Sequence, residues 1–149
     1  MSHGPNGTQI RRKMPREQRE KTLEELASLL TQEQDVIFAY AHGSFLKAER
    51  FADLDVAIYF SDELTEKEQL KASLRLATQL SKQLQLPVDA RPLNSAALGF
   101  CFAAVQGRML TSSDERLRVD YVKRILLEYF DFRPILRRSV RRLMTRGTN

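Results

Sequence analysis

The sequence predicts a mixed α/β domain in which a small mixed sheet is flanked by helices. Two observations lead to this fold class. Short apolar runs rich in β-forming residues alternate along the chain with longer segments whose apolar residues recur every three or four positions. A length of 149 residues with 42% hydrophobic residues also suits one domain with one core. Because no repeat and no linker divides the chain, we expect a single domain.

The first two predicted helices are recognised by their apolar spacing and by one start signal. Residues 17–30 carry leucines at three- and four-residue spacing, which predicts an amphipathic helix. A second helix is predicted to begin at Thr65, which has capping-box spacing to Glu68, and to continue to Leu84. In a capping box, the two side chains each accept a hydrogen bond from a backbone N–H at the start of the helix.

Two further helices are predicted in the second half of the chain. Residues 96–105 form a short apolar segment that ends before Gly107. Ser112 and Glu115 have the spacing of another capping box and predict the start of the last long helix. Since proline lacks a backbone N–H and clashes with the preceding turn, we expect Pro134 to kink or break this helix near residues 131–133.

Three apolar runs and one shorter segment predict strands. Residues 36–41 and 54–60 are rich in valine, isoleucine, phenylalanine and tyrosine, and polar residues or glycine bound each run. Residues 87–93 contain two prolines, which cannot donate hydrogen bonds to a neighbouring strand, so this strand is expected to lie at a sheet edge or to be short. Residues 108–111 predict a short extended piece. The predicted order of elements is α-β-β-α-β-α-β-α.

The positive charge of the chain is confined to its two ends. The net charge is +5, but residues 1–16 and 133–149 contain four and six basic residues and no acidic one, which leaves −5 for residues 17–132. This distribution argues against a uniformly basic face that binds nucleic acid. We expect disordered tails at residues 1–16 and 145–149 around a domain at residues 17–144.

Composition also bears on membrane association and disulfides. No apolar run approaches the ~20 residues that a membrane-spanning helix needs, and no signal peptide precedes the first helical segment, so no membrane contact is expected. A single cysteine, Cys101, can form neither an internal disulfide nor a cysteine-rich metal site. These observations predict a cytoplasmic protein.

Polar residues at the ends of the predicted strands form a candidate catalytic site. Gly43 and Ser44 follow the first strand, Asp53 and Asp55 lie at the start of the second, and Asp89 lies in the third. Because successive side chains of a strand alternate between faces, the first two aspartates point the same way. Their repulsion is relieved when a cation lies between them, and Mg²⁺ with its oxygen ligands is the expected occupant. The third aspartate would complete a three-carboxylate cluster.

The glycine and serine add a second element to this site. Gly43 lets the backbone approach a ligand closely, and Ser44 with the following amides can donate hydrogen bonds to phosphate oxygens. Carboxylates that bind metal beside a turn that binds phosphate are the parts that nucleotidyl transfer needs. Each feature alone has a commoner explanation, as a turn, a solvated strand entry or a surface aspartate. Their order along the chain is what favours a transfer site.

Other polar residues near these motifs are expected in ordinary roles. His42 precedes the glycine, but a histidine packed at a strand end is the simpler interpretation, since metal-dependent transfer needs no histidine base. Lys47, Arg50 and Arg91 are expected to be surface cations, and Arg91 is favoured slightly for contact with a phosphate because it should share a face with the third carboxylate. Cys101 is expected to be a small core residue.

The motifs resemble those of the DNA polymerase β-type nucleotidyltransferase superfamily. Residues 41–45 and 53–56, AHGSF and DLDV, match its Gly-Ser turn and D-x-D pair, and residues 88–94 are similar to its strand with the third carboxylate. The chain is most similar to the minimal nucleotidyltransferases of the MntA antitoxin type, which are encoded beside HEPN ribonuclease toxins. The resemblance covers residues 17–143. The eight residues 45–52 form a connection shorter than is usual in the family, and Ala48 replaces its common glycine.

The resemblance implies a polymerase β-like nucleotidyltransferase fold and a role for each motif residue. Gly43 and Ser44 would hold the phosphates of ATP, Asp53 and Asp55 would bind Mg²⁺, and Asp89 would bind the catalytic metal and help to activate the acceptor hydroxyl. The implied reaction transfers AMP from ATP to a tyrosine hydroxyl of the cognate HEPN toxin. Nucleic acid is not expected as a direct substrate.

Two alternatives stay open at this point. The protein could be a noncatalytic antitoxin that neutralises its toxin by binding through the exposed C-terminal helix. It could also be a nucleotidyltransferase that modifies a small molecule, although such enzymes usually carry a second helical domain for which this chain has no room.

Overall fold

The computed structural model describes residues 10–145 and contains a small mixed sheet with helices on both faces. Its elements in chain order are β1 Arg12–Lys13, α1 Arg16–Thr31, β2 Val36–His42, α2 Ser44–Lys47, β3 Arg50–Phe51, β4 Leu54–Phe60, α3 Glu66–Leu84, β5 Val88–Pro92, α4 Leu98–Val105, β6 Arg108–Ser112 and α5 Glu115–Thr145. The predicted fold class is confirmed. No helix in this part of the chain is long and apolar enough to cross a membrane.

The main sheet has four strands in the order β5-β4-β2-β6. Strands β4 and β5 are parallel, whereas β2 is antiparallel to both β4 and β6. The proline-containing strand β5 lies at one edge, as its composition predicts, because a proline cannot complete the hydrogen bonds of an inner strand. The central strands β2 and β4 are the ones that carry the longest apolar runs.

Both faces of the sheet are covered, which explains why its central strands are apolar on both sides. One face packs against α1 and α3, and its core includes Leu26, Val56, Ile58 and Leu80. The other face packs against α4 and α5. Its core residues are Phe38, Tyr40, Ala57, Leu93, Cys101, Ala104, Tyr121 and Ile125. The expected core position of the cysteine is confirmed.

The capping box at the start of α3 is confirmed. The backbone N–H of Thr65 donates to the Glu68 carboxylate at 2.9 Å, and the N–H of Glu68 donates to the Thr65 hydroxyl at 3.2 Å. The helix ends at Gln85, whose φ of 57° lies in the left-handed region. Helix α1 begins one residue earlier than predicted, and α4 begins two residues later.

The start of α5 differs from the prediction. Ser112 is the last residue of β6, and the residue that caps the helix is Asp114, whose Oδ1 accepts a hydrogen bond from the N–H of Leu117 at 3.0 Å. The reason is positional, since a cap must directly precede the first helical residue, here Glu115. The predicted capping pair was therefore wrong by two residues.

Replacing the true cap should destabilise the protein measurably. Asp114→Ala removes the acceptor of the Leu117 N–H and a negative charge near the helix N-terminus, and should lower the free energy of unfolding by about 1 kcal/mol. Ser112→Ala should have a smaller effect, because the N–H of Leu117 donates to Asp114 and not to the Ser112 hydroxyl. Urea denaturation of both variants tests this, and equal losses would contradict the assignment.

Pro134 does not break α5. The helix is continuous from Glu115 to Thr145, so the break predicted near residues 131–133 does not occur. A single proline removes one backbone hydrogen bond, and a long helix can retain its other hydrogen bonds on both sides of it.

The N-terminal segment differs from the expected tail. Residues 1–9 lie outside the described part of the chain, but Arg12–Lys13 pairs with Arg50–Phe51 as a two-stranded antiparallel ribbon. The Lys13 ammonium also forms an ion pair with Glu49 at 2.8 Å. This pairing fixes the segment against the connection that leads to the candidate site, and residues 146–149 of the predicted C-terminal tail again lie outside the described residues.

Candidate active site

The Gly-Ser turn lies where β2 meets the short helix α2. Gly43 has φ 84° and ψ −159°, a backbone conformation that other residues rarely adopt. A Cβ atom at this position would overlap the Oδ2 atom of Asp55. The next two residues begin α2, and the fully buried ring of Phe45 anchors the turn in the core. The positive φ therefore favours a glycine here, and any side chain at this position would displace the Asp55 carboxylate.

The sheet register brings two of the predicted aspartates together. Asp55 in β4 lies opposite His42 of β2 and beside Asp89 of β5. Side chains in register lie on the same face of a sheet, and here it is the face that α4 and α5 cover. Asp53 precedes β4 and lines, together with Asp89, an open cavity of about 670 Å³. The three aspartates thus lie at one end of the sheet, and Asp55 is the one next to Gly43.

Burial and neighbouring negative charges disfavour the ionised form of the Asp55 carboxyl group. Burial is the main cause that raises its pKa from 3.8 to about 6, and the negative charges of Asp89 and Asp53 raise it further, while Arg91 opposes them. A group of like-charged oxygen donors of this kind suits a hard divalent cation. The donor set therefore fits Mg²⁺ chemically.

Arg91 and Phe100 form the side of the site that faces α4. The guanidinium Nε of Arg91 donates to Asp89 Oδ2 at 3.2 Å, and its Cζ atom lies 5.7 Å from the centre of the Phe100 ring. His42 packs edge-on against the same ring at 5.3 Å. Burial, followed by the charge of Arg91, lowers the pKa of His42, which keeps its imidazole neutral at neutral pH. His42 is thus a packed histidine at a strand end, as expected.

The three aspartates do not converge as a ready set of metal ligands. Among residues 10–145, no three His, Cys, Asp or Glu side chains are grouped closely enough to hold a metal ion. The Asp89 carboxylate is engaged by Arg91 instead. The backbone thus places the three aspartates at one end of the sheet. Their side chains would need to rotate for the three carboxylates to share a cation.

Sequence reasoning missed two contributors to this region. Arg12 lines the cavity beside Asp53 and Asp89, although it was assigned to a tail, and Phe100 contacts both His42 and Arg91. Neither has a local sequence signal, because each is brought in by a distant element. A larger open cavity of about 820 Å³ lies between α1, α2 and β6, and none of the three aspartates lines it.

A known protein family matches more than half of this chain. The profile of the family described as polymerase beta nucleotidyltransferase matches residues 24–116, which is more than half of the chain. This chain belongs to the polymerase β nucleotidyltransferase family. The matched region runs from α1 into the first turn of α5 and contains the Gly-Ser turn and all three aspartates.

Solved structures that share this nucleotidyltransferase fold include toxin–antitoxin complexes. One holds the tri-AMPylated Shewanella oneidensis HEPN toxin with its MNT antitoxin, at 19% identity and a TM-score of 0.61 over 85% of this chain and 98% of that one. Another is the toxin–antitoxin MntA–HepT, at 19% identity and 0.61 over 84% and 98%. A third is a toxin–antitoxin structure with AMP-PNP, at 19% identity and 0.59 over 87% and 99%.

At such identity, these similarities establish a common fold. No curated protein matches this chain in sequence.

Proposed function

We propose that this nucleotidyltransferase is a Mg²⁺-dependent protein adenylyltransferase that transfers AMP from ATP to a tyrosine hydroxyl of a cognate HEPN toxin and so acts as an antitoxin. The observation that carries the proposal is the close approach of Gly43 to the Asp55 carboxylate, because it places the turn proposed to bind phosphate beside a carboxylate proposed to bind Mg²⁺. The register of Asp55 with Asp89 brings a second candidate carboxylate to the same face of the sheet. A cytoplasmic location remains a prediction from the sequence.

Each site residue has a defined role in the proposed reaction. The backbone N–H groups after Gly43 would donate to the phosphate oxygens of ATP, and Asp53, Asp55 and Asp89 would hold Mg²⁺. Bound Mg²⁺ would neutralise the phosphates and stabilise the charge that develops on the leaving group. The tyrosine oxygen forms a bond to the α-phosphorus while the bond to the pyrophosphate oxygen breaks and pyrophosphate leaves. Asp89 would accept the phenolic proton, whose ordinary pKa is near ~10.

The partner and the substrate in this proposal are supported by the solved structures of the same fold. One of them contains a tri-AMPylated HEPN toxin with an MNT antitoxin, and another contains AMP-PNP. The modified toxin and the bound AMP-PNP are properties of those proteins. For this chain, the three aspartates and the Gly-Ser turn are the features that make the same chemistry possible.

Neutralisation by binding alone is the second candidate function. Helix α5 exposes the large apolar side chains of Leu127 and Phe130, with 65% and 47% of their surface accessible. The ring of Phe130 lies edge-on to the stacked pair of Phe102 and Tyr129. Leu127 and Phe130 are three positions apart and so lie on one face of the helix, where they could form part of an apolar surface for another protein. Such a surface would serve an antitoxin with or without catalysis.

A test with the toxin separates the two functions. The double variant Asp53→Asn, Asp55→Asn should leave the toxin active and unmodified, whereas the wild-type protein with Mg-ATP should neutralise it and add the mass of AMP. Intact-mass spectrometry and a ribonuclease assay on the same samples give both readouts. Full neutralisation by the double variant would contradict the catalytic function and favour neutralisation by binding.

A further inference from the structure

Arg19 of α1 is bonded to the connection that follows the Gly-Ser turn. Its Nη1 donates to the backbone carbonyls of Phe45 and Ala48, each at 2.7 Å, and its Nη2 donates to that of Glu49 at 2.7 Å. Its Nε donates to the carbonyl of Met14 at 2.9 Å. One guanidinium thus joins the segment after β1 to the carbonyls at the end of α2.

The same guanidinium lies against two aromatic rings. Its Cζ atom is 5.6 Å from the centre of the Phe45 ring and 5.1 Å from that of Phe51. These two rings are fully buried and pack edge to face at 4.7 Å. Phe45 is the first residue of the connection 45–52, and Phe51 lies two residues before Asp53, so the two rings anchor both ends of the connection. Arg19 therefore contacts the connection near both of its ends.

The contacts of Arg19 are transmitted to the Gly-Ser turn by backbone hydrogen bonds. The N–H of Ala48 donates to the carbonyl of Ser44 at 2.8 Å, and the N–H of Leu46 donates to that of Gly43 at 3.2 Å. Because α2 has only one turn, a shift of its last carbonyls must also shift the turn. Arg19 itself touches no aspartate of the site in these contacts.

We propose that Arg19 is a positioning residue that holds the Gly-Ser turn in the orientation needed to bind the phosphates of ATP. The inference rests on the proposed use of ATP at this site. It also accounts for the short connection of residues 45–52, since a single side chain can fix so short a segment. Arginine is required because its planar fork directs several donors at once, whereas a lysine ammonium cannot reach the same set of carbonyls together.

The test compares Arg19→Lys with the wild-type protein and with Lys21→Gln. Lys21 is an exposed residue on the same helix, so its variant controls for loss of a positive charge on α1. The dissociation constant of Mg²⁺ with α,β-methylene-ATP is measured by calorimetry, because this analogue cannot transfer AMP. Two further quantities are measured for each protein. They are the rate of AMP transfer at saturating ATP and the amide exchange of residues 44–52.

We expect Arg19→Lys to weaken binding of the analogue about tenfold, since two or more charge-assisted hydrogen bonds are lost. The rate at saturating ATP should change less than about threefold, and amide exchange should accelerate at Leu46 and Ala48 but not in β4. Lys21→Gln should behave like wild type. A merely structural role would lower the rate through loss of folded protein and leave the dissociation constant unchanged.

The outcomes separate this inference from the proposed function. An unchanged dissociation constant in Arg19→Lys, or unchanged amide exchange, would overturn the role of Arg19. A wild-type protein that binds the analogue but transfers no AMP to the toxin would contradict the proposed function, while the comparison of dissociation constants still decides the role of Arg19. A wild-type protein that does not bind the analogue would contradict both.

Discussion

Gly43→Ala should reduce AMP transfer at least ~100-fold. The added Cβ atom would overlap Asp55 Oδ2, and the positive φ of 84° disfavours any residue with a side chain. The turn and the carboxylate must therefore move apart, and displacements of about 1 Å at a reacting centre can cost this much in rate. Steady-state transfer to the toxin measures the loss, and circular dichroism verifies that the variant is folded.

The chain offers a matched control for this substitution. Gly99 is the second residue of α4, and a Cβ atom there would meet no atom within 4 Å. Gly99→Ala should keep full activity and should stabilise the protein by up to about 1 kcal/mol, because alanine is the better helix former. Equal activity of the two alanine variants would refute the proposed contact between the turn and the carboxylate.

Asp55→Asn should strongly reduce the rate of transfer and yet stabilise the protein when Mg²⁺ is absent. The pKa of Asp55 is raised from 3.8 to about 6, so the folded state holds this proton more tightly than the unfolded chain does. The associated stability is present below pH 4 and is lost as the pH rises through about 6. Removing the charge should restore about 1 kcal/mol at pH 7.5, a value reduced from the full shift because the side chain is half-buried.

Thermal unfolding and transfer assays verify the two effects separately. The rate should fall about 10³-fold, because a ligand for the charge-stabilising cation is lost. Asp120→Asn is the control, since Asp120 is exposed on α5 and its neutralisation should change neither stability nor rate. If Asp55→Asn were less stable than wild type in EDTA at pH 7.5, the buried charge of Asp55 would not destabilise the folded protein as its raised pKa requires.

Local sequence patterns were sufficient to predict most of the sheet and one helix start. The strands at residues 36–41 and 54–60 follow from short apolar runs, and the Thr65 capping box from two residues three apart. These features depend on neighbouring residues alone, so they can be predicted from a single sequence. The shared face of Asp53 and Asp55 stays a prediction, because Asp53 lies before the first residue of β4.

Features that depend on distant contacts could not be predicted in this way. The strand Arg12–Lys13 exists only because Arg50–Phe51 pairs with it, and the partners of Arg19 lie about 26 to 30 positions further along the chain. The cap of α5 was misplaced because Ser112 and Asp114 are both good capping residues, and only the end of β6 decides between them.

The fate of the α-phosphate of ATP tests the central claim most directly. The wild-type protein, Mg²⁺ and the HEPN toxin are incubated with ATP labelled at either the α- or the γ-phosphorus. We predict that the toxin gains label on a tyrosine from α-labelled ATP only, that pyrophosphate is released in equal amount, and that EDTA prevents both. A toxin that is neutralised without any label, or one that gains label from the γ-phosphorus, would contradict adenylyl transfer.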